Sequence, residues 1–183
     1  MMLGTTVISA ESCKASENPK PDTFLLSFTK EQHIDDWKVT NDGVMGGLSV
    51  GKIQLENQAF IFSGSISTEN NGGFTSVYRP IEKLPEEFES VRIRVKGDGK
   101  LYQLRMRSQV MDSDITYKIN FATKDSNMQT LNFNLADFQA SFRGRVISGA
   151  PILKAETISH VGFLITTKQA GHFSLSSSAI EFY

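Results

Sequence analysis

The residue types that most often perform catalysis are scattered in this chain. Its three histidines are His33, His160 and His172, and none of them forms the H-x-H or H-E-x-x-H spacing that brings two imidazoles to one metal ion. The single cysteine, Cys13, has no histidine near it in sequence that could act as its base. We therefore predict no nucleophile constellation and no enzymatic activity.

Acidic residues come in three close pairs, but none of them has the context of a catalytic or metal site. Asp35-Asp36 and Glu86-Glu87 are adjacent in sequence, whereas a glycosidase needs two carboxylates on opposite sides of a cleft. Asp112-Ser113-Asp114 begins like a calcium-binding loop, yet the glycine and glutamate that complete such a loop are missing. The sequence thus predicts no metal ion and no other cofactor.

Two glycine-rich segments precede strand-like stretches. Residues 43–47 read GVMGG, and residues 70–73 read NNGG. Neither matches the dinucleotide-binding or P-loop fingerprint. Glycines in such positions are typical of bulges, turns and places where two stretches of backbone approach closely. We expect these loops to pack closely within the protein or to present backbone to a partner.

Composition excludes several classes of protein. The 183 residues carry 19 Lys and Arg against 20 Asp and Glu, and the resulting formal charge of -1 gives no long-range attraction for nucleic acid. A hydrophobic fraction of 39% excludes a disordered chain, and one cysteine excludes a disulfide framework. No window approaches the roughly 20 apolar residues that a membrane-spanning helix requires.

The N-terminal segment has the composition of a flexible tail. It lacks the basic start of a secretory signal, and the first arginine of the chain is Arg79, which is unlike an arginine-rich transit peptide. Cys13 lies in this segment and is expected to be a free thiol. We predict a tail over residues 1–22, one domain over residues 23–183, and a cytoplasmic location.

The rest of the chain has the pattern of short β-strands separated by turns. Apolar and polar residues alternate with a period of two, and Gly and Asn-Gly punctuate the pattern. We predict strands at 24–29, 52–55, 59–62, 74–78, 89–96, 101–107, 115–122, 130–135, 157–166 and 173–182, with short helical pieces at 30–37 and 85–88. The pattern predicts an all-β, antiparallel β-sandwich whose 13 phenylalanines mainly fill the core.

The Asp98-Gly99 dipeptide predicts a two-residue hairpin turn, because a type I′ turn needs positive φ at both positions. In that register Ile93 faces Leu104, and apolar side chains share one face. The opposite face then gathers five cations: Arg92, Arg94, Lys96, Arg105 and Arg107. Such a face is either solvated and internally paired or a binding surface. Since like charges directly opposed are unfavourable, we expect carboxylates of a neighbouring strand or an anionic partner to offset them.

Ordered motifs give the chain a resemblance to a known family. Residues 36–49, DWKVTNDGVMGGLS, resemble the opening motif of the complex I intermediate-associated protein 30 family. Further blocks follow in the same order: FSG at 62–64, ENNGGFTSV at 69–77, YQLRMR at 102–107, DFQASFRGR at 137–145, ISHVGFLI at 158–165 and GHFSL at 171–175. Together the motifs extend from about residue 24 to the end of the chain.

This resemblance implies a galactose-binding-like jelly-roll β-sandwich. For mitochondrial members of the family it also implies a non-enzymatic, chaperone-like role in holding assembly intermediates of respiratory complex I. We therefore expect a protein partner. The predicted partner-binding residues are Asn41, Asp42, Gly43, Met45, Gly46, Asn71, Gly72, Arg105, Arg107, Phe142, Arg143 and Arg145.

Two other interpretations stay open at this point. The same loops could be purely structural, with Asp42 and Asn71 capping turns and Arg143 or Arg145 tying down a loop through an ion pair. Alternatively, the domain could be a carbohydrate-binding module, since jelly rolls often carry sugar sites. Sugar platforms use exposed Trp or Tyr, of which this chain has only Trp37 and four tyrosines.

Overall fold

The computed structural model describes residues 22–28, 34–108, 115–142, 144–166 and 170–183. Several predictions fall on residues outside these ranges. They concern the tail up to residue 21 with Cys13, the histidine His33, the calcium-like segment 112–114, and Arg143.

Thirteen strands and four short 3-10 turns make up the ordered elements of the described chain. The strands are β1 (Phe24–Ser27), β2 (Lys38–Asn41), β3 (Val50–Glu56), β4 (Ala59–Ile66), β5 (Phe74–Pro80), β6 (Ser90–Lys96), β7 (Leu101–Ser108), β8 (Thr116–Ala122), β9 (Met128–Asn134), β10 (Gln139–Phe142), β11 (Arg145–Val146), β12 (Ile158–Thr166) and β13 (Gly171–Phe182). The 3-10 turns are Asp42–Met45, Glu69–Asn71, Leu135–Asp137 and Ala155–Thr157. All ten predicted strands are present, and β2, β10 and β11 are additional.

The predicted helical pieces are not helices where the structure describes them. The piece at 85–88 is a single turn, closed by a hydrogen bond of 3.4 Å from the Phe88 N–H to the Pro85 carbonyl. The described part of the piece at 30–37 is a turn as well, in which the Trp37 N–H donates to the Ile34 carbonyl at 3.1 Å. No helix in the described part of the chain has the length and apolar character needed to cross a membrane.

The strands form two antiparallel sheets. Sheet A has the order β3-β4-β13-β6-β9, with β1 paired to the last part of β13, and sheet B has the order β11-β10-β8-β7-β12-β5-β2. The apolar sides of both sheets face a common core, which includes nine of the 13 phenylalanines as buried residues. This arrangement confirms the predicted all-β antiparallel sandwich and the structural role of most phenylalanines.

The predicted hairpin at Asp98-Gly99 is wrong. β6 pairs with β9 and β13 in sheet A, whereas β7 pairs with β8 and β12 in sheet B. The dipeptide therefore lies in a β-arch, a connection that crosses from one sheet to the other. Ile93 and Leu104 both face the core, as the pattern predicts. They do so from opposite sheets, because alternation identifies the buried side of a strand but not its neighbour.

The arch also separates the five cations that were predicted to share one face. Arg92, Arg94 and Lys96 lie on the outer side of sheet A, and Arg105 and Arg107 lie on the outer side of sheet B. A neighbouring carboxylate, as expected, offsets one of them. Arg92 donates to Glu181 of β13 at 2.8 Å, and its guanidinium lies 4.7 Å from the centre of the Tyr183 ring.

Asp98 holds the arch together through both carboxylate oxygens. Its Oδ1 accepts hydrogen bonds from the Lys100 N–H at 3.1 Å and the Tyr102 hydroxyl at 3.0 Å, and its Oδ2 accepts the Ser174 N–H at 2.9 Å. Burial, together with the charge of Asp98, raises the pKa of the Tyr102 hydroxyl. Gly99 has φ of +84°, a left-handed conformation that glycine adopts without steric cost.

We expect Asp98→Ala to lower the free energy of unfolding by about 2 kcal/mol, because it leaves the buried Tyr102 hydroxyl without its acceptor. Tyr102→Phe removes that orphaned donor, so the two changes should couple by about 1 kcal/mol in a double-mutant cycle. Urea unfolding of the four proteins measures the coupling. A coupling of zero would contradict the hydrogen bond between these two side chains.

Candidate functional site

The two glycine-rich segments meet around the carboxylate of Asp42. This residue follows β2, begins the turn Asp42–Met45, and is 0% exposed. Its Oδ1 accepts the Ser49 N–H at 3.0 Å, and its Oδ2 accepts the N–H groups of Gly73 and Phe74, the latter at 3.2 Å. One carboxylate therefore joins the loop between β2 and β3 to the loop between β4 and β5.

Glycine is required at positions 47 and 72 because the Asp42 carboxylate occupies the space of their missing side chains. A Cβ at Gly47 would lie 2.3 Å from Asp42 Cγ, and a Cβ at Gly72 would lie 2.6 Å from Asp42 Oδ2. Gly46, with φ of +84°, ends the turn in the left-handed region, while a Cβ at Gly43 would meet no atom within 4 Å. The glycines were expected to let two stretches of backbone approach closely. In the structure they let the backbone approach the Asp42 side chain.

Asn41 makes a second link beside Asp42. Its Oδ1 accepts the Gly51 N–H at 2.9 Å and the Thr75 hydroxyl at 2.6 Å. This amide therefore ties β2 and β5 of sheet B to β3 of sheet A. The polar side chains of Asn41 and Asp42 are thus both used within the protein, where they join neighbouring strands and loops and do not cap a turn.

Hydrogen bonding decides the ionisation of Asp42. Burial by itself would raise the pKa of this carboxyl, but the hydrogen bonds from Ser49, Gly73 and Phe74 outweigh it and hold the pKa below its ordinary value. Because the folded-state pKa is lowered, ionised Asp42 stabilises the fold above the pKa of the unfolded chain. That stabilisation is lost as the pH falls through the folded-state pKa.

Residues 47–51 also fit the G-x-S-x-G pattern, which in hydrolases marks a nucleophilic serine on a strand-to-helix turn. Here the pattern leads into strand β3, and Ser49 is buried. The Ser49 hydroxyl donates to the Ser67 carbonyl at 3.3 Å and accepts the Ser67 N–H at 3.1 Å. Ser49 therefore links two loops and is not presented to a substrate.

The predicted partner-binding residues fall into two groups at opposite ends of sheet B. The loops at 41–49 and 70–73 lie where β5 begins. Arg107 lies at the other end of β5, because it is paired in register with His160, and His160 is paired with Pro80. Phe142 and Arg145, which are paired with each other, also lie at that end of the sheet. The length of β5 separates the ends by about 20 Å. The groups do not form one site, and their role in partner binding stays a prediction.

Arg105 and Arg107 are arranged around Tyr78 on the outer side of sheet B. The Arg107 guanidinium lies 4.5 Å from the centre of the Tyr78 ring. Arg105 donates from Nη2 to Ser141 Oγ at 3.4 Å, while its Nε is buried without a hydrogen-bond partner. The Tyr78 ring lies against Gly162, where a Cβ would come within 2.6 Å of Tyr78 Cδ1. Burial raises the pKa of Tyr78, although both arginines act to lower it.

Two further cations on this outer side were not predicted. Lys38 is paired in register with Tyr78, and Lys118 is paired with Arg105. Burial and the charge of Arg105 lower the pKa of Lys118. The alternation of polar and apolar residues does mark Lys118 as outward-facing. The erroneous hairpin, however, gave Arg105 a neighbour on β6, so its real neighbour on β8 could not be recognised.

Within the described residues, no group of three or more His, Cys, Asp and Glu side chains could hold a metal ion. His160 accepts or donates a hydrogen bond of 3.0 Å between its Nδ1 and the Ser159 hydroxyl. Burial, followed by the charges of Arg107 and Lys38, lowers the pKa of His160. Its imidazole is therefore neutral at pH 7.

We expect Asp42→Asn to lower the free energy of unfolding by about 2–4 kcal/mol at neutral pH, because an amide offers one acceptor oxygen to three backbone donors. The control Asp137→Asn changes an exposed acid and should shift stability by less than about 0.5 kcal/mol. As the pH falls from the pKa of the unfolded chain through the lowered folded-state pKa, the wild-type carboxyl protonates, so the difference from Asp42→Asn should shrink. Urea unfolding checks this, and a difference that does not change with pH would contradict an ionised Asp42.

The glycines around Asp42 allow a second test. Gly47→Ala should destabilise the fold by about 1–3 kcal/mol, because the added methyl overlaps the buried carboxylate. Gly43→Ala lies in the same segment with open space around it and should change stability by less than about 0.5 kcal/mol. Thermal unfolding measures both, and equal effects would be inconsistent with close packing around Asp42.

Solved structures of similar fold include carbohydrate-binding modules. The family 11 module of the cellulosomal cellulase Lic26A-Cel5E of Clostridium thermocellum has a TM-score of 0.63 and 14% identity, covering 87% of this chain and 93% of the module. The family 11 module from Clostridium thermocellum in complex with a β-1,3-1,4-mixed-linked tetrasaccharide has a TM-score of 0.62 and 13% identity, covering 87% of this chain and 94% of that one. At these identities the similarity concerns the fold, and it confirms the predicted jelly-roll β-sandwich.

Sequence comparison points to a specific family. The family model described as Complex I intermediate-associated protein 30 matches residues 26–176. The Mus musculus protein named Complex I intermediate-associated protein 30, mitochondrial, is 24% identical over 179 residues, covering 82% of this chain and 53% of the mouse protein. The chain thus spans about half the length of that relative. The family model covers most of the described residues, including all strands of sheet B and the loops at 41–49 and 70–73 that Asp42 joins. The chain therefore belongs to the complex I intermediate-associated protein 30 family.

Proposed function

We propose that this chain is a non-catalytic binding module that holds a protein assembly intermediate of respiratory complex I. The observation that carries the proposal is the family match over residues 26–176. The name of the mouse relative associates that protein with a complex I intermediate. Transferred to this chain, the association predicts a protein partner and no chemical conversion of it.

The contacts of three carboxylates, those of Asp42, Asp98 and Glu181, support a scaffold. Both oxygens of Asp42 hold backbone N–H groups of two loops, and both oxygens of Asp98 hold the β-arch. Glu181 is paired with Arg92. Carboxylates engaged in this way stabilise the fold, and they are not free to transfer protons to a substrate.

The positions of the aromatic residues argue against the alternative, a carbohydrate-binding module. Trp37 is 5% exposed, and Tyr78, Tyr102 and Tyr117 are buried as well. The half-buried Tyr183 has the Arg92 guanidinium over its ring. Stacking on a sugar needs an open aromatic face, and none of the five Trp and Tyr rings offers one.

A tagged copy of the chain expressed in its own cells should comigrate with complex I assembly intermediates on native gels. Arg105→Ala with Arg107→Ala should lower the comigrating fraction about fivefold or more, because two arginines of one surface are removed. The matched control, Arg94→Ala with Lys96→Ala, removes two cations from the outer side of sheet A and should leave comigration unchanged.

Migration of the wild-type chain only as a free species would contradict the proposed function. Retention on a β-1,3-1,4-glucan gel, without comigration, would favour the carbohydrate-binding alternative. The comigrating amount is divided by the total tagged protein of each variant, so differences in expression do not affect the comparison.

A further inference from the structure

Sheet B contains no acidic residue. Its seven strands hold six Lys and Arg and no Asp or Glu, although the whole chain has 19 of the former and 20 of the latter. The strands of sheet A hold four Lys and Arg and two Glu. Outside sheet B the chain therefore has 13 basic against 20 acidic residues. The formal net charge of the chain is only -1, but basic and acidic residues are distributed unevenly between sheet B and the rest of the chain.

Four of the six cations lie on the outer side of sheet B, and we refer to this surface as the basic face: Lys38, Arg105, Arg107 and Lys118. One row across five neighbouring strands contains, in order, Lys38, Tyr78, Gly162, Arg105 and Lys118. Four strand spacings make this row about 19 Å long. A row of that length can contact several residues of a partner at once.

The charges of the basic face are not neutralised within the described chain. Its ion pairs are Arg79 with Asp36, Arg92 with Glu181, and Lys100 with Asp98, none of which belongs to this face. Arg105 and Lys118 are directly opposed on adjacent strands, an arrangement that is unfavourable without a counter-charge. An anionic ligand on the outer side of the sheet would supply that counter-charge.

The burial of the aromatic ring on this face favours carboxylates of a protein over single-stranded nucleic acid. Arginine guanidinium groups pair with carboxylates and with phosphates through two parallel hydrogen bonds, so the arginines alone do not choose between them. Single-stranded nucleic acid is bound with exposed aromatic rings on which bases stack. Here Tyr78 is buried beneath Arg107, so the face has no such ring.

We infer that the basic face of sheet B is the docking surface for a carboxylate-rich segment of the partner protein. The identity of that partner as an assembly intermediate rests on the proposed function. The acidic character of the segment rests on the arrangement of Lys38, Arg105, Arg107 and Lys118 alone. Binding should weaken with added salt, because exposed charges are screened.

The test uses a dye-labelled peptide of 12 glutamates and fluorescence anisotropy in about 50 mM salt. The wild-type chain should bind this peptide, and Lys38→Gln with Arg107→Gln should weaken binding about tenfold, since two exposed cations are lost. The matched control, Arg94→Gln with Lys96→Gln, removes two exposed cations from sheet A and should change binding less than about twofold. All four side chains are exposed, and thermal unfolding verifies that both variants fold.

Three results would overturn the inference: no binding of the glutamate peptide, equal weakening by both double variants, or tighter binding of a 12-residue oligothymidylate than of the peptide. The native-gel experiment with these variants keeps the two proposals apart. Unchanged comigration of Lys38→Gln with Arg107→Gln would overturn the docking surface and leave the proposed function intact. Failure of the wild-type chain to comigrate would overturn the proposed function, while the peptide measurement still decides the specificity of the face.

Discussion

The buried carboxylate of Asp42 determines how the two sheets are joined at one end of the sandwich. It follows a strand of sheet B, and it accepts N–H groups that precede β3 of sheet A and β5 of sheet B. A charge without solvent is costly unless its oxygens are satisfied, so the surrounding backbone must approach from several sides. That requirement explains why glycines stand at positions 47 and 72. The glycines of this chain at these positions therefore allow close packing around one carboxylate.

A second carboxylate, that of Asp98, fixes the backbone where the chain crosses from sheet A to sheet B. Asp98 accepts hydrogen bonds from its own arch and from β13, which fixes the crossing from β6 to β7. The crossing has an electrostatic consequence, because it assigns three cations to the outer side of sheet A and two to that of sheet B. Only the sheet A group has a glutamate on an adjacent strand. Positive charge consequently accumulates on sheet B, where Lys38 and Lys118 add to it.

The jelly-roll framework is compatible with very different surfaces. Solved carbohydrate-binding modules share the strand arrangement with this chain at 13–14% identity. In this chain the tryptophan and three of the four tyrosines are buried, and the polar outer side of sheet B is lined with cations. The same backbone thus presents a charged surface here, since side-chain placement rather than fold determines the character of a sheet surface.

The amino-acid sequence by itself determined the positions of ten strands, the residues that face the core, the loop character of the two glycine-rich segments, and the family. These features depend on local patterns, namely period-two alternation, turn-forming residues and ordered motifs. Only the tertiary structure decided which strands are neighbours and which residues Asp42 binds. The alternating pattern around Asp98-Gly99 is satisfied equally by a hairpin and by an arch, because both bury Ile93 and Leu104. The choice between them depends on contacts between residues far apart in the chain, such as Asp98 with Ser174, and no local pattern contains that information.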